Sequence, residues 1–263
     1  MKRFIIVAVL FLLLPSVVFS KPDTAGWDVR KSDHFILYSQ DVPLEYISRT
    51  IKSAEGFYES ITSRLGFTRF DNFWTWDKRV NIYLFKDRDE YQKKSKQPGW
   101  SSAGVNIYRR EIVTYVNMDD FFVTTLPHEL GHIIFREFVG YEKKFPLFLD
   151  EGVASYMEDN QKGDKLVFTR ALAGAKVKAF MDLKELSEAK RGGIGIPAIF
   201  YSESASVIDF LISVYGKEKF VSFCKRLKQL ENGDNWLAAV KDVYYFQDIS
   251  QMNDAWMDFL LKK

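Results

Sequence analysis

Residues 124–135 read TTLPHELGHIIF, and the fold of the whole chain turns on what that stretch becomes. It carries His128 and His132, two of the three histidines in 263 residues, with Glu129 directly after the first. On a helix, positions four apart lie on one face a turn from each other, so the two imidazoles can aim one nitrogen each at a common point. Glu129 projects about 100° round the helix from His128, close to that point without being needed as a ligand. Pro127 fits a first helical turn, where its missing N–H has no partner to lose, and this predicts a helix start near Thr124 or Thr125. A start at Asp119 or Asp120 instead requires Pro127 to bend the helix just ahead of the histidines. Two imidazoles with a glutamate between them predict a zinc site with its base; the competing reading is a packed helix that carries two histidines.

A catalytic zinc site needs a third protein ligand. Phe138 stands where a third histidine, six residues beyond His132, would extend the motif, and His34 lies in an early strand pattern. The third ligand is therefore expected to be a carboxylate. FLDEGVASYMED, residues 148–159, supplies Glu151 nineteen positions after His132, and Gly140 and Pro146 in between end one helix and turn the chain. A second helix returning antiparallel sets Glu151 beside the histidine pair. Asp150 competes for the position, but helical neighbours diverge by about 100°, so only one of the two can face the metal. Glu137, offset five residues from His132, points off the His128 and His132 face.

HELGH followed by LFLDEGVASYMED resembles the gluzincin metallopeptidases, most closely the peptidase MA-like group of exported bacterial proteins. That group's second motif reads roughly Trp-Leu-x-Glu-Gly-x-Ala-x-Tyr, and Phe148 here replaces its Trp. The likeness extends to SDHFILY near the start, to IFYSESASVIDFLISVYGKEKF, and to WLAAVKDVY towards the end. The resemblance implies an α+β, zincin-like fold: an N-terminal mixed β-sheet with packed helices, a mostly helical C-terminal half, and the active site between them. It implies one Zn²⁺ per chain held by His128, His132 and Glu151, with Glu129 as general base and hydrolysis of peptide bonds in a peptide or protein substrate. It also sets Tyr201 at a tyrosine of the family's third motif, as a donor to the oxyanion, with core packing of Tyr201 as the alternative. Tyr156 is a second phenol, expected to pack structurally. Two rival functions stay open: a binding protein of zincin shape without turnover, and a zinc amidase acting on cell-wall peptides. Glu129 weighs against the first, because a silent scaffold keeps its metal without it.

The start of the chain reads as a signal peptide: Lys2 and Arg3, an apolar run from Phe4 to Leu14, then PSVVFSK with Val18 and Ser20 as small residues before the cleavage point. Residues 1–20 are expected to be removed after Ser20, leaving a periplasmic or secreted domain over 21–263, with an α/β part about 27–140 and a helical part about 141–263. Membrane association is expected only if that segment is retained. Its loss takes two of 37 basic residues and none of 35 acidic ones. A neutral mature chain lacks the basic excess that binding a polyanion needs, so nucleic acid is not an expected partner. Cys224 is the only cysteine and sits among helix-period apolar residues in FVSFCKRL, as a buried thiol rather than a nucleophile.

Strands are expected at 34–39, 79–85, 104–108 and 111–117, and helices at 44–65 and 89–94, with mainly helical patterns from Phe121 onward. Strands first and helices later mean α+β. REIVTYVN, just before the histidine helix, reads either as an edge strand that aligns an extended substrate or as an ordinary core strand. RGGIGIP at 191–197 reads as a loop or lid over the cleft, and FWTW at 73–76 as core packing rather than a sugar platform.

Overall fold

The computed structural model describes residues 22–67, 78–95, 103–116, 120–158, 164–190, 194–231 and 236–262. The signal segment, FWTW and the first three residues of RGGIGIP lie outside the described residues. The N-terminal part is a five-stranded mixed sheet built from β1 (Asp28–Lys31), β2 (Phe35–Ser39), β3 (Val80–Phe85), β4 (Gly104–Asn106) and β5 (Glu111–Tyr115). Its spatial order is β1-β2-β3-β5-β4, with β2, β3 and β5 parallel and the outer two strands antiparallel to their neighbours. The chain is α+β, as expected, with the mixed sheet ahead of a mostly helical C-terminal half.

Alternation along the strands gives the sheet two working faces. Phe35, Leu37, Val80, Ile82, Leu84 and Ile112 point into the main core, whereas Tyr83, Phe85 and Val113 join Trp27 and Tyr91 in a smaller cluster on the opposite side. Helix α1 (Leu44–Leu65) covers the main face, burying Ile47, Thr50, Ala54, Ile61 and Leu65 at helical spacing, and helix α2 (Arg88–Ser95) covers the other with Tyr91.

Of the two readings of REIVTYVN, the structure takes the ordinary core strand. Its Glu111–Tyr115 form β5, an interior strand paired with β3 on one side and β4 on the other. The edge on this side, among the described residues, is β4. The tight turn at residues 107–110, with Arg110 at φ 52°, folds β4 back as the outer member of a hairpin.

The helical half comprises α3 (Leu126–Val139), α4 (Leu147–Glu158), α5 (Asp164–Gly174), α6 (Leu183–Glu188), α7 (Pro197–Tyr215), α8 (Lys217–Gln229), α9 (Leu237–Tyr244) and α10 (Ile249–Leu261). Helix α4 runs between α3 and α7, and glycines set both contacts. A Cβ on Gly131 of α3 would lie 2.9 Å from Ala154 Cα, and one on Gly152 of α4 would lie 2.6 Å from the Ser204 carbonyl oxygen. Neither contact admits a side chain, because the obstacles are backbone. Helix α7 has the length and apolarity to cross a membrane, yet most of it is buried in this fold as the central helix.

Helix α7 also buries a carboxyl group. Glu203 is fully covered, and burial pushes its pKa from 4.5 up to about 8, with Glu185 adding to the rise and the Met181 N–H, 3.3 and 3.4 Å from its two oxygens, opposing it. A carboxyl raised on folding contributes its full stability below its unfolded value of 4.5 and loses it as pH climbs through about 8. Glu203→Gln, which cannot ionise, should therefore gain thermal stability over the unaltered chain at pH 9 and gain little at pH 5. Melting temperatures at the two pH values check this, and an equal difference at both would contradict it.

Candidate metal centre

The helical run that carries the histidines begins earlier than Thr124. Asp120 sits in the left-handed region at φ 59°, a π-helical turn spans Phe121–Thr125, and α3 follows directly. Leu126 donates its N–H to the Phe121 carbonyl in the wide π pattern, and Pro127 comes next, without an N–H to give. The wide turn leaves Pro127 in the first turn of α3, where its missing N–H breaks no α-helical hydrogen bond.

On α3, His128 and His132 face the same way, with their Nε2 atoms 3.2 Å apart. Glu151, from the first turns of α4, brings Oε2 to 3.4 Å from His132 Nε2 and 3.7 Å from His128 Nε2. These three residues form a group able to hold a metal ion. Asp150, the other candidate third ligand, faces elsewhere: its Oδ1 lies 3.1 Å from His132 Nδ1, on the far side of the ring. Glu137 is tied to Lys78 at 2.8 Å and to Arg110 at 2.5 Å, on the sheet side of α3.

Behind the cluster stand Glu158, Lys165 and Arg136, which sequence reasoning missed, and Asp150, which it weighed only as a metal ligand. His128 Nδ1 is hydrogen-bonded to Glu158, and Glu158 in turn accepts from Lys165 Nζ of α5 at 2.8 Å. Asp150 plays the same part for His132 and accepts from Arg136 Nε at 3.0 Å and Nη2 at 2.8 Å. Each imidazole is thus clamped from behind by a carboxylate, and each carboxylate by a cation. Carboxylates at Nδ1 hold the ring proton there and turn the Nε2 lone pair towards the common point. Glu158 lies seven residues after Glu151, two helical turns on the same face, and that spacing is the signal from which it could have been found.

Charge in the site is poised for a cation. Burial pulls the His132 pKa down, but Asp150 and Glu151 outweigh it and hold the imidazole well above its ordinary range. Burial raises Asp150 and Glu158, yet His132 with Arg136 and His128 with Lys165 reverse this and keep both carboxyls low. Glu129 behaves in the opposite sense: it is buried, and burial holds its carboxyl above the ordinary range, with His128 and His132 opposing and Glu151 and Glu158 reinforcing. A carboxyl raised by burial holds a proton more tightly than an ordinary one and is a better proton acceptor once ionised. Three lone-pair donors converging in a pocket whose electrostatics favour positive charge fit a divalent metal ion.

Tyr201, on the second turn of α7, sits against the cluster, its ring centroid 6.4 Å from that of His128. Tyr156 does not: its ring lies under the Arg64 guanidinium at 4.1 Å, directed at α1. Cys224 is buried, and burial pushes its thiol up, as an inert core group.

A family model described as the peptidase MA superfamily matches residues 72–262, which takes in α3, α4 and α7 and so the whole cluster. No curated protein gives a significant match.

The clamps make a testable statement. Glu158→Gln keeps the shape behind His128 and removes the charge, so affinity for a divalent metal ion such as Zn²⁺, measured against a competing chelator, should fall by about tenfold or more. Unchanged affinity in a folded variant would show that the carboxylate does not tune the ligand.

Proposed function

The chain belongs to the peptidase MA superfamily and is at that level a peptidase, and from this we propose a zinc-dependent metallopeptidase of gluzincin type, exported after cleavage near Ser20. The observation that carries the zinc reading is the spacing of the donors. Tetrahedral zinc with bonds of about 2.0–2.1 Å separates its ligand atoms by roughly 3.3–3.4 Å, and the Nε2–Nε2 and Nε2–Oε2 separations here are 3.2, 3.4 and 3.7 Å. Two neutral imidazoles and one carboxylate are a catalytic donor set, three protein ligands with a fourth position left for water. Zinc held by His128, His132 and Glu151 supplies a Lewis acid that lowers the pKa of water towards ~7.

The chain's own residues do the rest. Glu129 accepts a proton from the attacking water and later delivers it to the leaving amine. Its burial among the ligands supports this role, because a carboxylate kept from bulk water retains basicity that solvation would remove. Tyr201 donates its phenolic hydrogen to the oxyanion that develops on the scissile carbonyl. Asp150 and Glu158 hold the two imidazoles in register. The β4 edge offers main-chain pairing for an extended peptide, the part first expected of β5. Export rests on the sequence of residues 1–20, with its basic start, apolar run and small residues before the cleavage point.

Substitution separates the roles. Glu129→Gln should bind zinc as the unaltered chain does and lose peptide hydrolysis, since an amide cannot serve as the base. Tyr201→Phe should keep both fold and zinc while kcat falls by roughly 10²-fold. Zinc content by metal analysis and turnover on a mixed peptide library check both; hydrolysis at an unaltered rate in Glu129→Gln would overturn the assignment of the base.

A further inference from the structure

Residues 165–181 read KLVFTRALAGAKVKAFM, with Lys165, Arg170, Lys176 and Lys178 as basic residues and no acidic one. The first ten of them lie on α5, whose only acidic residue is Asp164 in its first position. The helix buries Thr169 and Ala173 against the body of the protein and turns Val167, Phe168, Ala171 and Gly174 outward. The outer face of a surface helix is ordinarily charged or polar. Here Val167 is 64% exposed and Phe168 38%.

The end of α5 adds charge to this surface. Val177 donates its N–H to the Leu172 carbonyl and Lys176 donates to that of Ala173, which closes the helix with Lys176 in the left-handed region at φ 49°, where glycine is usual. Lys176, Val177 and Lys178 are all exposed as the chain leaves, and neither lysine has an ion-pair partner among the described residues. Arg170 stands at the border of the patch, its guanidinium over the Phe259 ring at 5.2 Å and its Nη2 donating to the Phe259 carbonyl at 3.5 Å. That contact brings up the end of α10, where Leu261 is 53% exposed and Lys262 follows, with Asp258 as the acidic residue in the last turn.

Apolar side chains presented beside unpaired lysines have the chemistry of a helix lying in the interface of an anionic bilayer, where the apolar groups enter the acyl boundary and the ammonium groups meet lipid phosphate. A folded protein partner fits less well, because Val167, Phe168, Val177 and Leu261 together fall short of the about 800 Å² per partner that a stable interface buries. We infer that the outer face of α5, with the turn at Lys176–Lys178 and the end of α10, is a docking surface for an anionic lipid membrane. The inference uses neither the apolar run of residues 4–14 nor the peptidase reading. Lys165 of the same helix holds Glu158 behind His128, so the docked helix is also the one that clamps a metal ligand.

Residues 21–263 hold every described element and lack the apolar run of residues 4–14, so their binding reports this surface without that segment. Cosedimentation with sucrose-loaded vesicles at about 0.1 M salt compares phosphatidylcholine alone with phosphatidylcholine containing about 30% phosphatidylglycerol. The anionic vesicles should bind at least about tenfold more tightly. Lys176→Glu combined with Lys178→Glu should lower that binding by about tenfold or more, and Val167→Ser combined with Leu261→Ser should lower it several-fold. All four side chains are exposed, so each double variant should melt as the unaltered protein does. Absence of binding, equal binding to both vesicles, or binding that survives either double substitution overturns the docking surface. Soluble polyglutamate competing as well as the anionic vesicles would mark a site for an acidic polypeptide and overturn the lipid assignment.

Discussion

Everything at the metal centre depends on how closely α4 can lie between two other helices. At Gly131 the backbone of α3 meets Ala154, and at Gly152 the backbone of α4 meets the Ser204 carbonyl of α7, each at a distance that excludes a methyl group. Those two contacts fix the height of Glu151 against the imidazoles of α3 on one side and bring α7, with Tyr201, against His128 on the other. A side chain at either glycine would meet backbone and push the helices apart, carrying Glu151 away from the histidines. The glycines in HELGH and DEGVAS are thus part of the site although they carry no chemistry of their own.

Packing sets position, and electrostatics sets orientation. Two parallel relays, Arg136–Asp150–His132 and Lys165–Glu158–His128, converge from different helices. Each buried charge finds an opposite partner, which is the condition under which burying charge is tolerable at all. The result is that both rings are turned to the metal position by groups that do not themselves touch it, so little rearrangement is needed when an ion arrives. Glu129 departs from Asp150 and Glu158: burial lifts it, whereas their cationic partners hold those two low. That divergence is what the proposed division between a proton carrier and positioning carboxylates requires.

Much of this was legible in the sequence for identifiable reasons. Helix α1 was readable at both ends, Leu44 and Leu65, because its apolar period runs unbroken and Gly66 stops it in the left-handed region at φ 78°. His128, His132 and Glu151 were readable because helix geometry leaves few ways to converge three donors. Strand β1 was not, since Asp28–Lys31 is exposed along its length and shows no alternation. The edge position of β4 was hidden because chain order does not state sheet order: β5 returns inside β4, and only the folded hairpin reveals it. Glu158 and Lys165 escaped notice because they act at one remove from the metal.

The central claim is that two imidazoles and one carboxylate, and no other protein group, hold the ion. An X-ray absorption spectrum at the zinc edge of the loaded protein tests it without reference to any substrate. Two imidazole nitrogens at about 2.0–2.1 Å, with the remaining neighbours oxygen at about 2.0–2.2 Å, are expected. A sulfur neighbour at about 2.3 Å, which only Cys224 or a methionine could supply, or a first shell with fewer than two imidazoles, would contradict the claim.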